Sequence, residues 1–331
     1  MFLGWTLGVL LAAPVARVEA SCGYGTILQP REDGAVKVNK FGYFGATGPA
    51  SWKALDPAAN SLCETGQFQS PVNLIQGQYT VVPGADVQLD IPDLPEGAEF
   101  ENLGTTVEVI ATGGNMSFGG VDYSLRQFHF HTPSEHLDNG VSMDMEMHMV
   151  WQAPGGQVAV IGVFVDLVGG AATSAQHAGP KSRRGVKRGQ AEAAEEKEEE
   201  HGSRDSRVAR DDTGYFQNSS PRTDATWQSP LLQTVFDSVG SISRPGTKTQ
   251  TRPLVMSELV KILSSGTFQT YRGSLTTPPC SEGVTWLVSN QKLSIPVSTF
   301  AKARSVLGYN SRFPQNNPGQ PNVLVVGRTG A

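Results

Sequence analysis

The clearest signal along the chain is a two-residue alternation of apolar and polar positions, carried by short runs separated by Gly, Pro and Asn. It marks "VDYSLRQFHFH" (121–131), "MEMHMVW" (145–151), "QVAVIGVFV" (157–165), "GVTWLVS" (283–289) and "NVLVVG" (322–327). These runs are rich in β-branched and aromatic residues, and a strand is predicted for each. Helical spacing is rarer. "SPLLQTVFDSV" (229–239), with Pro230 early, and "PLVMSELVKIL" (253–263), with Pro253 in the first turn, predict two helices. The expected fold class is therefore mainly β, a sheet with peripheral helices. The flanks of the chain lack the repeats and linkers that would mark two independent domains.

The pattern fails in two places. Residues 2 to 16, "FLGWTLGVLLAAPVA", form an apolar stretch shorter than a membrane span, and Val18-Glu19-Ala20 before "SCGYG" fits a small-x-small cleavage site, so residues 1–20 read as a signal peptide. No other apolar run approaches 18 residues, and the expectation is a secreted protein without a stable membrane span after cleavage. From Lys181 to Asp212, 18 of 32 residues are charged and none is aromatic. Such a stretch cannot bury enough apolar surface to offset its ordering entropy, and residues 168–225 read as a disordered insertion. His177 and His201 fall inside it and take no role.

Composition narrows the function. With 38% hydrophobic residues in a chain of 331 there is enough to bury a sizeable core, and a net charge of −5 gives no basic face for nucleic acid. Cys22, Cys63 and Cys280 are too few for a disulfide scaffold but suit an exported chain with one bridge and one thiol left over; spacing alone does not name the pair. The sequons at Asn115 and Asn218 are candidate glycan sites in an exported chain.

Half of the six histidines lie in one segment, "QFHFHTPSEHL" (127–137). On a strand, Gln127, His129 and His131 share one face while Phe128 and Phe130 take the other, and the run 145–151 puts Glu146, His148 and Val150 on one face by the same period. A turn at Asp138-Asn139-Gly140 makes adjacent antiparallel strands the natural arrangement. Three imidazoles with an open fourth position describe a catalytic zinc site, and Gln127 and Glu146 are the acceptors that ligating imidazoles need to fix their tautomers. Glu135 or Glu146 could instead complete a 2-His-1-carboxylate iron set, as in a cupin-like oxygenase.

Several motifs in order carry a resemblance. "GQFQSPVNL" (66–74), "QFHFH", "SEH", "EMHMVW", "AVIGVFV" and "YRGSLTTPPCSEGVTWLV" (271–288) resemble an alpha-class carbonic anhydrase of secreted type, from about Gly42 to Arg328 with the charged stretch as an interruption. The resemblance implies a twisted, mostly antiparallel sheet in a single domain over residues 21–331, and reversible hydration of carbon dioxide to bicarbonate by zinc-bound hydroxide. It implies that His129, His131 and His148 hold Zn2+, that Gln127 and Glu146 support them, and that Thr276 and Glu135 orient the hydroxide. Val150, Val160, Leu275 and Trp286, with Thr277 beside them, would form the carbon dioxide pocket, and His136 would be structural. By the same resemblance Cys63 and Cys280 form the disulfide. Thr105 stands where fast members carry a proton-shuttling histidine, and Tyr43 would order water. A catalytically silent relative, serving as a binding module, would have lost one or more of the three ligand histidines.

Overall fold

The computed structural model describes residues 26, 34–168 and 228–329 of the chain. The proposed signal peptide, Cys22, Asn218, the insertion histidines and nearly all of 168–225 lie outside the described residues. By internal contacts, Met1–Gly170 with Ala225–Ala331 forms one unit and Ala171–Asp224 another, the second lying outside the described residues.

A 12-stranded sheet dominates the first unit. Its main path runs Lys248–Gln250, Glu99–Asn102, Val107–Ile110, Val121–His131, Met145–Gln152, Val158–Val168, Glu282–Ser289, Thr267–Ser274 and Thr80–Pro83. Neighbours on this path are antiparallel except Val158–Val168, which runs parallel to Glu282–Ser289. The sheet matches the expected class because alternation lets each strand supply two different surfaces. Phe128, Phe130, Met147, Met149, Trp151, Ile161 and Val163 project into the main core, where the helix Pro230–Asp237 packs Leu231, Leu232, Val235 and Phe236. On the opposite surface Val150, Val160, Val284, Trp286 and Val288 build a second, smaller core with Val72, Leu74 and Leu275. The candidate residues His129, His131 and His148 alternate with the main-core residues and so face that second side.

Four of the five predicted strands form; three details need correction. "NVLVVG" is not a strand but lies in a helix, Val323–Thr329. Asn322 starts it: its side chain accepts from Leu324 N at 2.9 Å and its carbonyl from Val325 and Val326 N, so local capping outweighs β-branched propensity. The helix expected from Pro253 begins at Ser257 instead. Leu254 exchanges both backbone hydrogen bonds with Leu94, which keeps the segment extended, and Asp93 Oδ1 accepts from Ser257 N at 2.9 Å to open the helix. A helix at Val297–Leu307 was not anticipated; it closes at Gly308, whose φ of 64° suits glycine. No helix among the described residues is long and apolar enough to cross a membrane.

Cys63 and Cys280 are joined, and both sulfurs are sealed among Phe41, Tyr43 and Trp52. The bridge ties the early segment to the turn four residues beyond Thr276, closing a sequence separation of 217 residues. A Cys63→Ala/Cys280→Ala variant is expected to lose about 2–5 kcal/mol of stability, read as a lower urea midpoint with a steeper slope as the unfolded chain loses its crosslink. An unchanged midpoint would mean the core holds this segment without the crosslink.

Candidate metal centre

Strand pairing sets the centre. His129 lies directly across from His148, and His131 across from Glu146, so the two strands bring three imidazoles to one side of the sheet. All three are fully buried. Each is fixed through one ring nitrogen. His129 Nδ1 donates to Gln127 Oε1 at 2.8 Å, His131 Nδ1 to the Asn310 carbonyl at 2.8 Å, and His148 Nε2 to Glu146 Oε1 at 2.9 Å. The opposite nitrogens of two rings, His131 Nε2 and His148 Nδ1, are buried without a hydrogen-bond partner among the described residues. Across the triad one ligand atom per ring lies within 4.8 Å of the others. Buried donor atoms left without partners, on rings whose tautomers are already fixed, are what a metal ion would satisfy, and three nitrogen ligands suit zinc.

Electrostatics keeps the rings in the ligating form. Burial holds His129 well below the ordinary imidazole value, with His131 and His148 adding to the effect. Burial lowers His131 to about 4 against the help of the Asn310 carbonyl, and it lowers His148 against Glu146. All three are neutral at pH 7, as a metal ligand must be. In metal-free protein this has a sign. Between pH 6.5 and about 4 the unfolded chain binds protons on His131 that the folded chain refuses, so folding weakens as pH falls through that window. Glu135, raised to about 7, works in reverse, its contribution being complete below 4.5 and lost as pH rises through 7. Three imidazoles outnumber one carboxyl. The thermal midpoint of chelator-treated protein is therefore expected to fall from pH 6.5 to pH 4.5, and calorimetry showing a flat or rising midpoint would contradict the buried neutral assignment.

The carboxylates have other duties. Glu146 accepts from His136 Nδ1 at 2.6 Å and His148 at 2.9 Å through Oε1, and from the backbone N–H groups of His136 at 2.8 Å and Glu135 at 2.9 Å through Oε2. Burial pushes Glu146 up, but His136, His148 and their hydrogen bonds outweigh it and hold the group well below the usual carboxylate range. A carboxylate with four donors is committed to positioning, which leaves the 2-His-1-carboxylate arrangement without Glu146. Gly162, opposite His148 on the next strand, makes room for it: a Cβ there would lie 2.9 Å from Glu146 Oε1. Glu135 is also buried. Its Oε1 accepts from Arg312 N at 2.9 Å, and burial raises it to about 7 against His148, that backbone bond and a hydrogen bond from the Thr276 side chain. The structure thus brings Thr276 and Glu135 together beside the histidines.

The remaining predicted residues fall into two groups. Val150, Val160, Leu275 and Trp286 share one buried apolar cluster, with Val284 as a further member, and Thr277 is fully buried. His136 Nε2 is hydrogen-bonded with Tyr271 Oη at 2.7 Å, and Tyr271 Oη in turn with Ser70 Oγ at 2.9 Å, a framework role. The Thr105 hydroxyl accepts from Asn39 Nδ2 at 2.7 Å, and Tyr43 packs edge-on against Phe41 and Trp52. Two residues of the Asn310–Arg312 loop escaped sequence reasoning. Asn310 contributes its carbonyl to His131 and ties down Thr105 and Phe130 through Nδ2. Arg312 reaches Ser70 and Cys63 with its guanidinium while its backbone holds Glu135.

The comparisons with known proteins agree with this geometry. The eukaryotic-type carbonic anhydrase family matches residues 47–175 and 214–321, more than half of the chain. A carbonic anhydrase of Nostoc sp. is 27% identical over 288 residues, covering 86% of this chain and 84% of that protein. Among solved structures, the fungal alpha carbonic anhydrase of Aspergillus oryzae is 30% identical with a TM-score of 0.68, covering 88% of this chain and 100% of that one. The alpha carbonic anhydrase of Thermovibrio ammonificans is 26% identical with a TM-score of 0.60, covering 85% and 97%. A sheet of this topology, a triad of buried neutral imidazoles on its second face and matches along both halves of the chain all lead to one assignment: the chain belongs to the eukaryotic-type, or alpha-class, carbonic anhydrase family.

Proposed function

We propose that His129, His131 and His148 hold Zn2+ and that the protein hydrates carbon dioxide reversibly, with Thr276 and Glu135 as the orienting pair. The observation that carries this is the set of three buried imidazoles, each turned by a separate acceptor and two of them left with unpartnered ring nitrogens. Bound zinc lowers the pKa of its water to about 7, a value known from carbonic anhydrase itself. The chain's own residues supply direction. Thr276 gives its hydrogen to Glu135, so its oxygen can only accept, and a hydroxyl nucleophile beside it must donate there and turn its lone pair toward the apolar wall. Val150, Val160, Leu275 and Trp286 form that wall, and a substrate with little charge needs no more than a dry surface at the right place. Metal analysis of purified protein with a pH-jump hydration assay is the direct test. Neither zinc nor hydration in folded protein would overturn the reading and favour a silent relative.

We further read the chain as a single domain over 21–331, interrupted at 168–225 and exported after loss of residues 1–20, with Asn115, exposed at a strand start, as a glycan site. Proton removal should limit this enzyme. Threonine at position 105 does not titrate near neutral pH, whereas an imidazole with a pKa near 6.5 does. Turnover is expected to rise with the concentration of an imidazole buffer at constant ionic strength, and Thr105→His to raise it at low buffer. Turnover already saturated at the lowest buffer, with no gain from that substitution, would assign the proton to another group.

A further inference from the structure

Between Val121–His131 and Met145–Gln152 the pairing skips one residue. Val150 lies opposite Gln127 and Trp151 opposite Leu125, so Arg126 is the extra residue of a β-bulge. Before the bulge, Tyr123 and Leu125 pack into the main core; after it, Phe128 and Phe130 do. Strict alternation would turn Arg126 to the metal side and drive Gln127 into that core, yet Gln127 bonds His129 on the metal side. The bulge thus accommodates two successive polar residues. A guanidinium without a counter-charge cannot join Trp151 and Phe128 in an apolar core, so Arg126 shares the side of Gln127.

Two donors there are unsatisfied. Arg126 Nε is buried with no hydrogen-bond partner among the described residues, and Gln127 Nε2 is in the same condition. Arg126 also has no salt bridge among the described residues. Three residues of strand, about 10 Å, separate it from His129, so it is not a metal ligand and belongs at the rim of the site. Glu108, on the neighbouring strand, is in backbone register with His129 and with Glu101.

We propose that Arg126 binds a small planar oxyanion at the rim of the metal side, bicarbonate in the working enzyme. The planar fork of a guanidinium matches two oxygens of such an anion and has no grip on neutral carbon dioxide. Naming bicarbonate rests on the proposed reaction; the anion subsite itself does not. Because the overall equilibrium fixes the ratio of the two kcat/KM values, Arg126 cannot favour one direction of catalysis. It stabilises the anion-bound state, which shows in KM for bicarbonate and in product inhibition.

The test uses the zinc-loaded full chain. Arg126→Met keeps the apolar stem and removes the charge, Arg126→Gln is a second neutral variant should the first not fold, and Arg126→Lys keeps the charge. The inhibition constant of bicarbonate against carbon dioxide hydration is expected to rise about tenfold in either neutral variant and to stay within about threefold in Arg126→Lys, with kcat/KM for carbon dioxide unchanged. Calorimetric titration with sodium nitrate, a planar oxyanion that does not react, should show the same ranking. Nitrate binding that depends on Arg126 in a protein without hydration activity would support the subsite and defeat the proposed reaction. Equal bicarbonate and nitrate affinity in wild type and the neutral variants, with hydration intact, would overturn the subsite alone.

Discussion

His131→Ala is expected to strip the protein of most of its metal and to abolish hydration. Altering a residue that merely orients a ligand commonly costs about 10–100-fold in metal affinity, and removal of the ligand should exceed that. The geometry makes His131 a demanding choice. Its Nδ1 is held by the Asn310 carbonyl, and the same Asn310 side chain is bonded to Thr105 and Phe130, so the ring is braced by a loop as well as by its strand. Alanine leaves that carbonyl without its donor and opens space beside His148, whose ring centroid lies 4.5 Å away. Zinc should fall well below one equivalent after dialysis, while the sheet, whose main core lies on the other face, keeps its thermal transition within a few degrees of metal-free wild type. Stoichiometric zinc with full activity in His131→Ala would remove this residue from the ligand set.

How far the sequence reveals this site depends on which interaction fixes each part. Along Val121–His131 and Met145–Gln152 one side faces a core of Phe and Met and the other a set of His, Gln and Glu, so alternation shows directly in residue types. It stays in phase from Gln127 to His131 because the bulge falls before Gln127. Alternation fails where local capping decides, as at Asn322, where a β-branched run becomes helix. The helix Val297–Leu307 is quieter still: its apolar spacing is diluted by Ser, Thr and two Val, and it is held by burial of Ala303 and Leu307 and by its glycine stop. The backbone contributions are the least visible. Asn310 offers a carbonyl to His131 and Arg312 an N–H to Glu135, and any residue type can supply the first and any but proline the second. Their side chains matter only because they hold the loop in position, through Phe130 and Thr105 in one case and Ser70 and Cys63 in the other.

Thr276→Ala is expected to separate orientation from metal binding. The threonine sits in the turn anchored by the Cys63–Cys280 bridge and is fully buried, with its hydrogen bond directed to Glu135. Alanine removes an acceptor for the nucleophile and a donor to Glu135 but touches no imidazole, so zinc should stay near one equivalent while kcat/KM for carbon dioxide falls about 10–100-fold. Glu135→Gln should produce a loss of similar size by a different route, because an amide can donate to Thr276 and so permit the hydroxyl to point the wrong way. If the two act as one unit, the double variant loses little beyond the worse single variant, a coupling far from additivity. Losses that multiply in the double variant would mean that Glu135 acts without Thr276, through its 3.4 Å approach to His131, and that its role is to steady the ligand. Full activity in Thr276→Ala at normal zinc content would remove the threonine from the mechanism and leave the apolar wall as the sole guide to the substrate.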